Sequence, residues 1–465
     1  MMKKERVIKL KTKFDMIDEG KLIDILRLPI SDNSKIHLLD TTSVTVSITA
    51  NRLQSLFICE QRYSYSIQSQ RYCRFDAALN DSTILNGIEN YIGTDKQKEL
   101  DVLLAEIQDL YLEMTKVKAG HENVTKKTLA DFEYGIPVED ARSILPMVFY
   151  ANHIITMTGL EFMKLLNMMY HNDILFRDLE CQIDKYIHSK TDRDMDIFSF
   201  VVKNRDKLSF VESVITEEEY KIRTELLGDN IDHSSVVNIL DYPKVPLLRK
   251  SGLGALTCTN MSHPVDINNS KTDEQMKRVT ERVTFETGHT SVSENCNINW
   301  CMRMSVAAYN QYVRHRHQKC YRVDFGTSKY IMPKTIEDSI FKDRVFEVMD
   351  RLFDFIEEIK TDQPRDINLE LLINQLYPMG YELKVLVNSN LINEFHIGEK
   401  RNCNKAQNEI HHISLEKYKL LSKVVGSDKL MSMAQPSCMN GKCSEGKNTC
   451  GNNTNIKIFF GKGDK

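Results

Sequence analysis

From Cys296 to Met304 every second position is apolar (Cys296, Ile298, Trp300, Met302, Met304), which is the period of a strand with one buried face. From Ser305 the pattern changes to small and apolar residues without Gly or Pro, so the strand should feed a short helix ending at Arg314-His315-Arg316. The same succession occurs earlier, where Val44, Val46 and Ile48 alternate and Asn51 to Ile58 reads as a short helix. Leu100, Leu103, Leu104, Ile107, Leu110, Met114 and Val117 mark one face of a long helix, and Phe341, Val345, Val348, Leu352, Ile356 and Ile359 mark its counterpart. Each is followed by a helix ending in proline, at Pro146 and Pro378. The chain therefore reads as an internal repeat. One copy occupies 1–189 and the other 245–425, with a charged linker bearing one or two surface helices at 190–244. After about 425 the apolar periodicity stops, and 426–465 reads as a flexible tail.

Composition narrows the class. A chain of 465 residues, 41% hydrophobic, has room for two or three cored domains. No apolar run approaches the roughly 18 residues of a membrane span, and the basic start, Met1 to Lys13, lacks the apolar core of a signal peptide. A net charge of −3 argues against a general nucleic-acid binder. Eleven scattered cysteines form no small-protein disulfide framework, so a soluble protein of the reducing cytoplasm is expected. Cys438, Cys443 and Cys450 lie in a Gly-, Asn-, Ser- and Lys-rich stretch. Three thiols at those gaps match no closed zinc site, and no metal is expected. There is no Walker loop and no Gly-x-Gly-x-x-Gly after a strand, Gly252-Leu253-Gly254 being a lone fragment. His411-His412 has no carboxylate at metal spacing.

The chemistry concentrates at Arg314-His315-Arg316. A guanidinium presents a planar fork that matches phosphate or carboxylate, although on spacing alone the run to Lys319 reads equally well as a solvated basic face. The longer run is more specific. Gly288-His289-x-Ser291-x-x-Glu294, a strand, a helix and then Gln311-x-x-Arg314-His315-Arg316 resembles the signature of the flavin-dependent thymidylate synthases. That signature continues with x-x-Ser and then Ser-x-Arg-Tyr, which residues 317–324 lack. The first copy has this missing half, Ser64 and Ser69-Gln70-Arg71-Tyr72, but carries Cys59-Glu60-Gln61 in place of Arg-His-Arg. Ala141-Arg142-Ser143-Ile144-Leu145-Pro146 is similar to the family's Ala-Arg-x-x-Leu-Pro, and Asn374 replaces that arginine in the second copy. Asn390-Leu391, His396, Arg401 and Ala406-Gln407-Asn408-Glu409-Ile410 resemble the family's last motif. There Ile392 stands for an arginine and Asn408 for a tryptophan, and Met169 stands for the late arginine in the first copy.

The resemblance implies an α+β fold in two copies, each a mainly antiparallel sheet with packed helices. It also implies methylation of dUMP to dTMP, with methylenetetrahydrofolate as carbon donor and an NADPH-reduced FAD as hydride donor. Under it, Ser69, Gln70, Arg71, Arg142, Gln311, Arg314 and Arg401 go to dUMP, with Arg71 and Arg401 as the catalytic residues. His289, Ser291, Glu294, His315, Arg316, Asn390 and His396 go to FAD. Each copy keeps what the other has lost, so the resemblance further implies one composite live site per chain and a homodimer that imitates the family's tetramer. The competing reading is a catalytically decayed relative that binds nucleotide or RNA in a regulatory role.

Overall fold

The computed structural model describes residues 7–10, 36–61, 64–69, 74, 85, 87–122, 129–188, 197–208, 214–227, 232, 235–241, 246–323, 325, 329–362, 367–441, 443–446 and 449–450. The strands are β1 (Val7–Leu10), β2 (Val44–Asn51), β3 (Ser64–Ile67), β4 (Tyr150–Met157), β5 (Val214–Ile215), β6 (Val237–Asp241), β7 (Asn297–Ser305), β8 (Lys319–Val323) and β9 (Glu382–Asn390). The helices that matter below are α1 (Arg52–Glu60), α2 (Gly93–Met114), α3 (Gly159–His171), α4 (Val306–Tyr312), α5 (Lys342–Asp362), α6 (Leu391–Arg401) and α7 (Asn408–Val425). The architecture is α+β. Among the described residues no helix is long and apolar enough to cross a membrane.

The alternating stretches become central strands. Val44, Val46 and Ile48 are buried on β2, and Ile298, Trp300, Met302 and Met304 are buried along β7, with Cys296 buried just before it. Four strands in the order β1-β2-β4-β3 make one sheet, and five in the order β5-β8-β9-β7-β6 make the other. All pairs are antiparallel except β5 with β8. In each sheet the central pair, β2 with β4 or β7 with β9, leads at its strand ends into a capped helix. Asn51 and Thr158 cap α1 and α3 with full capping boxes, while Ser305 and Asn390 cap α4 and α6.

Two compact units divide the chain differently from the sequence repeat. The first comprises 1–212 and 328–381, the second 213–327 and 382–465. Within the first unit, α5 packs on α2. Their apolar faces are buried as the 3.6-residue spacing predicts, except that α2 stops at Met114 and Val117 lies beyond it. Two ion pairs, Arg344–Glu113 and Arg351–Glu106, both at 2.7 Å, fix the register of α2 and α5, but at this exposure they add little energy. Near the two prolines the backbone exchanges hydrogen bonds reciprocally, Met147 N to Tyr377 O at 2.9 Å and Met379 N to Leu145 O at 2.8 Å. Two long helices that the sequence reading assigns to different copies thus lie in one core.

Two expectations change. The segment 190–244 is more than a linker, because it supplies β5 and β6 as strands of the second sheet. Its helix Ile197–Lys203 also buries Phe198, Val201 and Val202, with Phe198 stacked on Phe162 of α3 at 4.9 Å. The flanking charges masked a short apolar run. Likewise the tail does not begin at 426. Residues Asp428–Met431, Ser432–Ala434 and Ser437–Asn440 form helical turns, and Leu430, Met431, Ala434 and Met439 are buried. Four apolar residues in short turns carry no long period, yet they cover α6. A Cβ on Gly398 would lie 2.7 Å from Ala434 O, and Asn402 Nδ2 donates to the same carbonyl at 2.8 Å.

Candidate functional site

In the second unit β7 delivers the chain to α4. Ser305 Oγ accepts from Ala308 N at 3.1 Å as the helix cap. Ser305 N and Oγ in turn donate to the two oxygens of Glu409 at 2.6 and 2.5 Å, so the start of α7 pins the start of α4. The helix ends at Tyr312, and Arg314-His315-Arg316 lies in the turns just beyond it rather than on it. Those turns are tied by His315 N to Tyr312 O at 3.1 Å and Gln318 Nε2 to Tyr312 O at 3.0 Å. Arg314 is left exposed, and His315 and Arg316 half-buried.

The other half of this cluster comes from α6. Its cap, Asn390, accepts from Asn393 N at 2.9 Å, so the Oδ1 of that predicted flavin residue serves the helix. Further along, His396 reaches the surface and Arg401 closes the helix. Arg401 Nε donates to His315 Nε2 at 3.0 Å, and the rings of His315 and His396 meet edge to face at 6.2 Å. Because arginine can only donate, Nε2 of His315 must be the acceptor, which puts the imidazole proton on Nδ1. Burial, followed by the neighbouring positive charge of Arg401 and then His396 and Lys417, lowers the His315 pKa to about 3. The group between the two arginines is therefore a neutral imidazole at physiological pH.

Ser291 and Glu294 belong to a short helical turn, Thr290–Asn295, that packs against α6, and His289 is its N-cap, directly after Gly288. Gly288 has φ +72°, a conformation only glycine adopts without strain. All three predicted side chains are exposed. Gln311 is buried on α4, with its amide turned back toward Ala307 O at 3.4 Å.

The remaining predicted residues belong to the first unit or fall outside the description. Arg142 is buried in the turn after Val138–Ala141 and donates from Nε to Glu139 O at 3.1 Å. Ser143 Oγ beside it is 2.7 Å from Tyr330 OH. Ser69 is half-buried just past β3, whereas Gln70 and Arg71 lie outside the described residues.

Motif reading did not flag Glu394 and Lys417. Lys417 falls on the buried stripe Ile410, Ile413, Lys417, Leu421 of α7, and Glu394 lies among Leu391, Phe395 and Ile397 on α6. A charge at an apolar helical position was the available signal. Among the described residues no group of three or more His, Cys, Asp or Glu is placed to hold a metal ion.

The sequence profile of the family described as thymidylate synthase complementing protein matches two segments, residues 15–175 and 253–426. The chain belongs to this family, that of the flavin-dependent thymidylate synthases. It is 28% identical over 182 residues to the flavin-dependent thymidylate synthase of Geobacter sulfurreducens, covering 37% of this chain and 76% of that protein. With the flavin-dependent thymidylate synthase of Clostridium tetani it shares 25% identity over 218 residues, 42% of this chain and 87% of that protein.

Proposed function

We propose that the chain is an FAD-dependent thymidylate synthase. It converts dUMP to dTMP with methylenetetrahydrofolate as carbon donor and NADPH as the source of reducing equivalents. The observation that carries this reading is the cluster of Arg401, neutral His315 and His396 beside an exposed Arg314, all from the motifs shared with the family. That donor set fits an anionic dinucleotide and a nucleotide phosphate. Guanidiniums supply charge-assisted forks, and an uncharged imidazole keeps Arg401 oriented without adding a competing positive charge. When bound, reduced flavin supplies the hydride, so the side chains need only bind, orient and exclude water. Gln311, Arg314 and Arg401 hold the nucleotide. His289, Ser291, Glu294, His315, Arg316, Asn390 and His396 hold the flavin, and Ser69, Gln70, Arg71 and Arg142 contribute from the first copy. The complementary losses of motif residues support one live site per chain and a homodimer working in the cytoplasm.

The purified protein is expected to be yellow, to bind dUMP, and to restore growth of a thymidine-requiring strain. A colourless protein that FAD cannot reconstitute, and that does not bind dUMP, would overturn the proposal in favour of a decayed relative. Ile392 and Asn408, which replace two family residues, motivate that alternative.

A further inference from the structure

Beneath the Arg314-His315-Arg316 turn lies an ion pair that the motif does not contain. Glu394 of α6 and Lys417 of α7 are both buried, with Oε2 and Nζ 2.7 Å apart. Trp300 Nε1 of β7 donates to the other carboxylate oxygen at 3.2 Å, and Lys417 Nζ also donates to Tyr312 OH of α4 at 2.5 Å. The ammonium lies over the Trp300 ring, at 4.8 Å from its centroid. One carboxylate and one ammonium thus join four elements. Tyr312 continues the chain of contacts, because its ring meets that of His315 edge-on at 6.2 Å. Glu394 precedes His396 by two residues and Arg401 by seven on the same helix.

A pair this deeply buried gives up two hydration shells, and apolar residues of similar volume usually stabilise a core as well or better. Its directional bonds instead fix where α4 and α6 sit against each other, which is what the Arg401–His315 hydrogen bond requires. We propose that Glu394 and Lys417 are positioning residues for the flavin and nucleotide groups, acting through Tyr312 on the Arg314-His315-Arg316 turn and through α6 on His396 and Arg401. This inference rests on the function proposed above.

Three variants test it. Tyr312→Phe removes only the hydroxyl that links Lys417 to α4. Lys417→Met strands the Glu394 carboxylate and risks misfolding. Glu394→Leu combined with Lys417→Met replaces the pair by apolar side chains and keeps the core filled. The double variant is expected to stay folded, with a melting temperature somewhat below the wild type's because Trp300 Nε1 and Tyr312 OH lose their partners. It should nevertheless bind FAD at least about 10-fold more weakly and lose on the order of 100-fold in kcat/KM, the scale of a misplacement of about 1 Å. Tyr312→Phe should show a smaller loss of the same kind, non-additive with Lys417→Met. A folded double variant with wild-type FAD affinity and kcat/KM would overturn the proposal. If the wild type itself neither binds FAD nor turns over dUMP, the proposed function fails on its own. Positioning is then read in the flavin-free protein, from the Arg401–His315 hydrogen bond seen by 15N-histidine NMR. That bond should weaken in the double variant and in Tyr312→Phe, and an unchanged bond in both would sink the inference.

Discussion

Glu409 and His315 show how single side chains set up the cluster. The Glu409 carboxylate takes two hydrogen bonds from Ser305 at the joint between β7 and α4. Glu409→Ala should therefore cost about 1.5–3 kcal/mol, the usual range for hydrogen bonds to a charged group, and urea unfolding at pH 7 measures it. His315 gives a pH dependence with a definite sign. Its pKa is about 3 in the folded protein against an ordinary 6.5. Between those values the unfolded chain binds more protons, so stability is fully present above about pH 6.5 and declines as pH falls toward 3. His315→Gln keeps an acceptor for Arg401 but cannot titrate. Its urea midpoint should fall less steeply over that window than the wild type's, and parallel curves would show that His315 is not held neutral.

At the scale of elements, α6 depends on what covers it. Gly398 faces Ala434 with no room for a methyl group, since a Cβ there would lie 2.8 Å from Ala434 Cβ as well as 2.7 Å from its carbonyl oxygen. Gly398→Ala should thus push the turns at 428–440 off the helix, at an overpacking cost of about 1–3 kcal/mol. Truncation after Ser427 should be more damaging. It removes Leu430, Met431, Ala434 and Met439, all buried, and one buried Leu or Met side chain alone accounts for about 1.5–3 kcal/mol. A melting temperature several degrees lower in the truncated chain is the expected result. A cut after Asn440, which leaves those turns intact, should by contrast melt close to the full chain. The first part of the tail read from sequence as flexible is therefore packed on the helix that carries His396 and Arg401.

For the whole molecule, the proposed composite site makes a prediction about stoichiometry. With Arg71 and Arg142 kept only in the first copy and Arg314 only in the second, calorimetric titration should find one dUMP per chain. Two per chain would refute a composite site. On the proposed assignment, Arg71→Ala and Arg314→Ala should each lose a charge-assisted contact, roughly 1.5 to 3 kcal/mol or about 10- to 100-fold in dUMP affinity. Mixing the two variant chains reports which chains build a site. Recovery of activity in the mixed dimer means that a site draws on both chains, whereas no recovery means that each chain completes its own.

The sequence by itself determined the family, two of the central strands, β2 and β7, and the two long helices α2 and α5. Those features are periodic or motif-borne, and burial on one face leaves a mark at every second residue in β7 or every third to fourth in α2 and α5. It also singled out His315, His396 and Arg401, which the structure brings together. Only the tertiary structure decided how they are held. The neutral state of His315 follows from burial beside Arg401, 86 residues away in the chain. The Glu394–Lys417 pair joins residues whose charges, read along their own helices, look like misplaced surface groups. The grouping of 328–381 with the first unit, the strands hidden in a charged linker and the covering of α6 by residues after 427 leave no local period. Each is fixed by contacts between distant segments, and a hydrophobic pattern records whether a residue is buried but not what buries it.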